Sequence, residues 1–489
     1  MRLNLPALLF VIPFLTAVAL PLIGLFRKHW CRSVALASLS MMHVMSLMAF
    51  NHTLEMGPIR YPLGGWLPPI GIEWRLDGFS GLAMVLISLV ALVAVVYAGP
   101  GVRTTLAHKA AHVYTLVMLL ISALTGMVMT ADLFNLFVFL EVTALTGYAL
   151  VAVAGGRAML AAFRYLILGT IGASFYLLGV GYLYAATGTL NMADLAEKLP
   201  GLWGSTAVLT GLVFIIIGLG IKMALVPLHG WLPDAYAHAP EAISPLLASL
   251  ITKVALVALA RIMFWILGPG VIWDEVPLMV YLGWIGAIAT LAGAFLALSE
   301  QNIRRTFAYG GISHVGLVVM GISLGNLTGF AGGIFYLMTD AVMQLGLFFV
   351  AGAMASHYGV REVAELAHLR GRTPWMTAAL IVTALSMVGI PPTGGFFGKW
   401  YILMGALEMK NYVAVGVIIL GTVLTLAYFV RILEKMFMEG STVTRQDASD
   451  LPWEMRFGLG TVTAGLLLFG IFSDPVISFI RTVAAPPGF

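Results

Sequence analysis

The stretch Gly220-Ile221-Lys222-Met223-Ala224-Leu225-Val226-Pro227-Leu228-His229 places a lysine and a proline inside one long apolar run. A run of that length reads as a helix crossing a bilayer. Proline removes a backbone donor and clashes with the preceding turn, so the helix must break. The freed carbonyls then need partners, usually in a protein-lined, hydrated cavity. A charged side chain near the bilayer centre costs roughly 2.5–3.5 kcal/mol on the insertion scale. A second run, Gly389-Ile390-Pro391-Pro392-Thr393-Gly394-Gly395 followed by Lys399, repeats the combination. Interrupted helices in matching positions of two halves are the sequence pointer to a transporter site.

The surrounding composition agrees. Of 489 residues, 60% are hydrophobic and only 10% charged, against about 25% charged in soluble domains. The fold class is therefore all-α and polytopic. Windows of roughly 20 apolar residues give about fourteen spans, centred near residues 15, 42, 88, 120, 142, 170, 217, 254, 288, 313, 341, 390, 421 and 468. No connection is long enough for a second domain; the longest are Asn51 to Gly78, His357 to Pro374 and Glu439 to Trp453. The run from Leu3 to Phe26 precedes its charges, Arg27, Lys28 and Arg32, and reads as a retained first span. Thr16-Ala17-Val18-Ala19 offers the alternative of a cleavage site.

Lys and Arg accumulate on the cytoplasmic side. Loops after odd-numbered spans hold Arg27, Lys28, Arg32, Arg103, Lys109, Arg157, Arg304, Arg305, Arg361, Arg370, Arg372, Lys435, Arg445 and Arg456. Loops after even-numbered spans hold only Arg60, Arg75, Lys198 and Lys410. The expectation is a plasma (inner) membrane protein with both termini outside. The broken spans are the seventh and twelfth, five apart, so a repeat must be inverted. That gives spans one to three (1–98), a first five-helix repeat (spans four to eight, about 111–267), a second (spans nine to thirteen, about 278–437) and a last span (about 456–483).

Several titratable residues fall inside these spans. Burial penalises the charged form of a carboxylate or an ammonium, and contact with an opposite charge restores both. Glu141 and Lys222 are thus read as a pair that switches proton affinity when broken, or as a static salt bridge. Lys253 lies well inside the eighth span, as a proton station or an anchor for the preceding loop; Arg261, two turns on, reads as structural. His229, Asp234 and His238 lie in the Pro- and Trp-rich segment 227–240. Histidine titrates near neutrality, so these are candidates for proton uptake, with a rigid turn as the bland alternative and no zinc-like spacing. His314 in the tenth span is a relay or a packing residue, and Asp340 in the eleventh is its candidate partner. Lys399 is an exit group or a lysine that snorkels from a helix end.

Absent chemistry narrows the class. Cys31 is the single cysteine, which excludes disulfide frameworks and cysteine-based clusters. No P-loop, dinucleotide fingerprint or nucleophile elbow occurs, so no cofactor, metal or catalytic centre is expected. Energy must come from an ion gradient or a partner. The net charge of +4 is small and no basic run suggests nucleic acid.

These residues resemble the antiporter-like family shared by respiratory complex I, membrane-bound hydrogenases and Mrp-type cation/proton antiporters. Lys222, Pro227-Leu228-His229-Gly230-Trp231-Leu232-Pro233-Asp234-Ala235 and His238-Ala239-Pro240 resemble its K-x4-P-x-H-x-W-L-P-D-A…A-P pattern. Gly389 to Lys399 resembles its G-x-P-P…K element, and Tyr61 to Trp66 with Pro69 to Asp77 resembles the Mrp and hydrogenase branch. The resemblance implies Glu141 and Lys222 as a coupling pair, Lys253 and His314 as a central relay and Lys399 as a terminal proton site. It implies a subunit working with other membrane subunits on protons, with sodium as a candidate counter-ion. Relatives of the D type carry a His-Asp pair and a downstream Lys in the eleventh span; here Thr339 and Gln344 replace the His and the Lys. The rival readings are a stand-alone carrier for a small solute and a non-conducting scaffold.

Overall fold

The computed structural model describes residues 4–369, 373–438 and 451–488. Arg370, Arg372 and Arg445, counted above among the cytoplasmic charges, lie outside the described residues. The helices in chain order are α1 (Leu5–Phe26), α2 (Trp30–Met56), α3 (Gly78–Thr105), α4 (Ala110–Met129), α5 (Leu133–Ala152), α6 (Arg157–Thr187), α7 (Met192–Lys198), α8 (Thr206–Lys222) and α9 (Leu232–His238). They continue as α10 (Ser244–Arg261), α11 (Leu278–Ser299), α12 (Ile303–Ile322), α13 (Leu327–His357), α14 (Pro374–Val388), α15 (Gly394–Glu408), α16 (Tyr412–Phe437), α17 (Trp453–Ile471) and α18 (Ser473–Thr482).

Eleven helical stretches among the described residues are long and apolar enough to cross a membrane. Shorter apolar helices are α8 and α14, each of which stops at one of the two expected breaks. The perimeter carries apolar side chains such as Leu22, Phe163 and Ile419, as a lipid-facing surface requires. At the centre stands α13, buried along its entire apolar window, flanked by α10, which is nearly as enclosed. Close helix approach depends on missing side chains: a Cβ on Gly316 of α12 would stand 2.5 Å from the Thr290 nitrogen of α11.

The connection from residue 51 to 78 adds to the all-helical expectation. Here α2 runs on to Met56, and a two-stranded antiparallel hairpin follows, β1 (Ile59–Pro62) with β2 (Glu73–Leu76), in register Ile59 opposite Leu76. The short β-branched and aromatic runs were masked by the Gly and Pro residues between them. Asp77 ends the hairpin and caps α3: its Oδ1 accepts the Ser80 backbone N–H at 3.0 Å, while Ser80 Oγ accepts the Asp77 N–H at 2.9 Å. The same carboxylate takes both guanidinium nitrogens of Arg261, at 2.6 and 2.8 Å. Arg261 is thus a structural tie between the hairpin and α10.

Burial alone would raise the Asp77 carboxyl, but the Arg261 ion pair and the cap hydrogen bonds hold it well below the ordinary carboxylate range. A depressed folded-state pKa stabilises above the unfolded value and loses that stability as pH falls below about 4. Asp77→Ala leaves Arg261 without its counter-charge and should cost about 3–5 kcal/mol. The thermal midpoint in detergent at neutral pH should fall by several degrees. Arg60→Ala, on the exposed strand, should leave it unchanged.

Candidate functional site

The seventh-span break is built from its own side chains. Lys222 is the last residue of α8, and residues 223–231 turn away before α9. Ala224 adopts left-handed backbone, φ 57°, a conformation that costs an alanine roughly 1–2 kcal/mol. The Ile221 carbonyl, which at the break accepts the Ala224 N–H at 3.1 Å, also accepts the Trp231 indole N–H at 2.8 Å. Trp231 is buried and stacks on Tyr165 at 4.0 Å. Lys222 Nζ then donates to Glu141 Oε1 at 3.0 Å. Lys222 faces inward, 8% exposed, whereas Glu141 is 26% exposed. It shares the outer face of α5 with Phe134, Val138 and Leu145.

A second cluster occupies the core. Asp340, at the middle of α13, uses one oxygen for Lys253 Nζ of α10 at 2.8 Å and the other for His314 Nδ1 of α12 at 2.9 Å. Lys253 Nζ also donates to the Ala248 carbonyl at 3.1 Å. Tyr336, one turn before Asp340 on α13, brings its hydroxyl to 3.2 Å from His314 Nδ1. All four residues are buried to 2% exposure or less. Beside Lys253 lies a cavity of about 20 Å³ lined by Phe79, Leu86 and Met338 among others, room for about one water. Thr339 donates to its own helix at Tyr336 O, and the Gln344 amide rests against Gly311 of α12. Helix α13 therefore carries a charged group in Asp340, with the uncharged Thr339 and Gln344 beside it.

Lys399 is held differently. α14 ends at Gly389, whose φ of 90° only glycine adopts freely. Lys399 Nζ reaches back from α15 to the carbonyls of Met387 at 2.8 Å and Val388 at 3.1 Å, and to Thr422 Oγ1 at 3.4 Å. It caps the carbonyl end of a half-helix, where the backbone dipole favours a cation. No carboxylate pairs with it among the described residues.

Among the described residues the side chains of the three uptake candidates do not hydrogen-bond to one another. Asp234 is clamped by Arg164 at 2.7 Å and by Arg305. His238 reaches only the Asp234 backbone carbonyl, at 2.9 Å, and borders a depression of about 700 Å³ with Glu241, Glu300, Arg304 and Arg305. His229 is half-buried, its Nδ1 without a hydrogen-bond partner among the described residues and its ring 6.3 Å from that of Tyr309. Sequence reasoning missed Tyr336, Trp231 and Thr422 as contacts. The i, i+4 spacing of Tyr336 and Asp340 was a usable signal; nothing local marked Thr422. Among the described residues no group of three or more His, Cys, Asp or Glu is arranged to hold a metal.

Residues 130–425 match the family described as NADH:quinone oxidoreductase/Mrp antiporter, TM. The chain is 39% identical over 502 residues to NADH-quinone oxidoreductase subunit N of Desulforudis audaxviator, covering 99% of each. It superposes with TM-score 0.90 and 28% identity on a chain of an archaeal membrane-bound sulfane sulfur reductase, covering 98% of this chain and 97% of that one. The match to a chain of the Mrp complex from Dietzia sp. DQ12-45-1b has TM-score 0.88 and 25% identity, over 98% and 96%.

Lys253→Met or Asp340→Leu alone strands a buried charge and should destabilise by about 3–5 kcal/mol. The double variant should recover most of that loss. Thermal unfolding of the four species in one detergent measures the coupling directly, and additive losses would mean that the two groups do not interact.

Proposed function

The chain belongs to the NADH:quinone oxidoreductase/Mrp antiporter transmembrane family, and on that premise we propose that it is a proton-translocating subunit of a multisubunit membrane complex. The observation that carries this reading is the pairing of every buried lysine of the array with a group that tunes it. Lys222 has Glu141, Lys253 has Asp340, and Lys399 has the carbonyls of a broken helix. An ammonium whose counter-charge moves away gives up its proton more readily. Separating Glu141 from Lys222 therefore sends a proton toward Lys253 and His314, and Lys399 passes it out. His238, at the rim of a polar depression, is the favoured point of uptake; Asp234, already neutralised by two arginines, serves to hold α9 in place.

The proposed topology has fourteen crossings, with the α8–α9 and α14–α15 pairs each forming one interrupted span. Two inverted five-helix repeats, at about 111–267 and 278–437, place those spans in equivalent positions. The membrane is the plasma membrane and both termini face outward, as the distribution of Lys and Arg favours. Partners are other membrane subunits, by analogy with the membrane complexes that contain the similar chains. Protons are the transported ion; sodium is a candidate counter-ion by analogy with a relative from Alkalihalophilus pseudofirmus that is named as part of a Na(+)/H(+) antiporter. The chain itself supplies no redox or catalytic centre to this reading.

Lys222→Ala, purified with its partners and reconstituted in vesicles, should assemble yet lose at least nine-tenths of proton transport, read by a pH-sensitive dye. Transport at the parental rate would end the proposal. Robust solute flux by the isolated chain would favour a stand-alone carrier. Unchanged flux after neutralising both Glu141 and Lys399 would favour a scaffold.

A further inference from the structure

Resting on that proton-transport reading, we propose that Tyr336 is a positioning residue that switches His314 between its two tautomers, so that the ring hands a proton across itself. The geometry at one nitrogen carries the inference. His314 Nδ1 stands 2.9 Å from Asp340 Oδ1 and 3.2 Å from the Tyr336 hydroxyl. A ring nitrogen of neutral histidine is either a donor or an acceptor. With the proton on Nδ1, the ring donates to Asp340, and the Tyr336 O–H has no acceptor; among the described residues the hydroxyl has no other hydrogen-bond partner. With the proton on Nε2, the bare Nδ1 accepts the Tyr336 O–H. Asp340 Oδ1 then faces a lone pair, which is tolerable once Asp340 carries a proton itself. Each tautomer satisfies one neighbour and leaves the other wanting, so the two states compete.

The far side of the ring is the place of exchange. His314 Nε2 is buried and has no hydrogen-bond partner among the described residues. A proton arriving there forms an N–H bond with the Nε2 lone pair. The Nδ1–H bond breaks, its proton passes to Asp340 Oδ1 and its electron pair stays on Nδ1. The ring is neutral again, Asp340 is neutral, and the Tyr336 hydroxyl turns to share the Nδ1 lone pair with the new Asp340 O–H, which holds the ring in the Nε2–H form. Lys253, 2.8 Å from the other carboxyl oxygen, has now lost its counter-charge. It releases its own proton toward Lys399, the last station of the proposed path, and the net charge of the cluster returns to the starting value.

The surroundings of Tyr336 suit such a role. Its ring is fully buried and lies on the bare backbone of α15: a Cβ on Gly398 would stand 2.7 Å from the ring. That contact fixes the ring between His314 and the helix segment bearing Lys399. The hydroxyl proton can still swing about the C–O bond with no movement of the ring.

Tyr336→Phe keeps the packing and removes only the hydroxyl. In the reconstituted complex, solid-state nitrogen-15 NMR of labelled histidine should show both His314 tautomers in the parent, identified by subtraction against His314→Gln. The Tyr336→Phe complex should show only the Nδ1–H form, with proton transport reduced tenfold or more and a thermal midpoint within a few degrees of the parent. An unchanged tautomer ratio, or unchanged transport, would overturn the proposal. A rate loss that merely follows a loss of stability would assign Tyr336 to packing and overturn it as well. Lys222→Ala separates the two levels: loss of transport there with none in Tyr336→Phe sinks this inference alone, whereas retention in both sinks the transport reading beneath it.

Discussion

Asp340 sits at mid-length of the most enclosed helix in the molecule and meets a lysine with one oxygen and a histidine with the other. An ionised carboxylate in such a place is unfavourable by several kcal/mol unless each lone pair finds a donor. Three helices must therefore hold their depth and rotation together: α10 to deliver Lys253, α12 to deliver His314 and α13 to deliver Asp340. A slip of one residue on any of them would turn a charged head into packed hydrocarbon. The glycine-lined contacts of α12 serve this requirement, because bare backbone lets neighbouring helices and long side chains approach without freedom to shift.

The two broken spans solve one problem in two ways. Ending a helix inside a bilayer strands carbonyl groups. At the first break a tryptophan indole takes a carbonyl, and the lysine is left free to meet a carboxylate. At the second break the lysine itself takes two carbonyls. Lys222 is thereby sensitive to the position of another side chain, and Lys399 to the geometry of the backbone. The proposed path would thus respond to helix movement at one end and offer a fixed site at the other.

The outward tilt of Glu141 adds a boundary condition. Its face of α5 also carries Phe134, Val138 and Leu145. The first ion pair thus reaches from the interior to the rim of the bundle, whereas the Asp340 cluster is buried. The hairpin, in turn, is bound to α10 through Asp77 and Arg261, two turns from Lys253 on the same helix. Structural ties and titratable groups thus share one element.

The sequence by itself determined the membrane class, the helical architecture and the two breaks, because hydropathy, proline and intramembrane lysine act locally and leave their mark on consecutive residues. It also singled out Glu141, Lys222, Lys253, His314 and Lys399, since a charge in an apolar run is conspicuous without any partner in view. Only the tertiary structure decided who meets whom. Asp340 gained Lys253 as well as His314, Asp234 was claimed by arginines distant in the chain, Lys399 turned to carbonyls, and Tyr336 entered the cluster. The hairpin at residues 59–76 came from the same source. Such contacts depend on the relative depth and rotation of separate helices, and packing across the whole bundle sets those quantities, with no local pattern to record them.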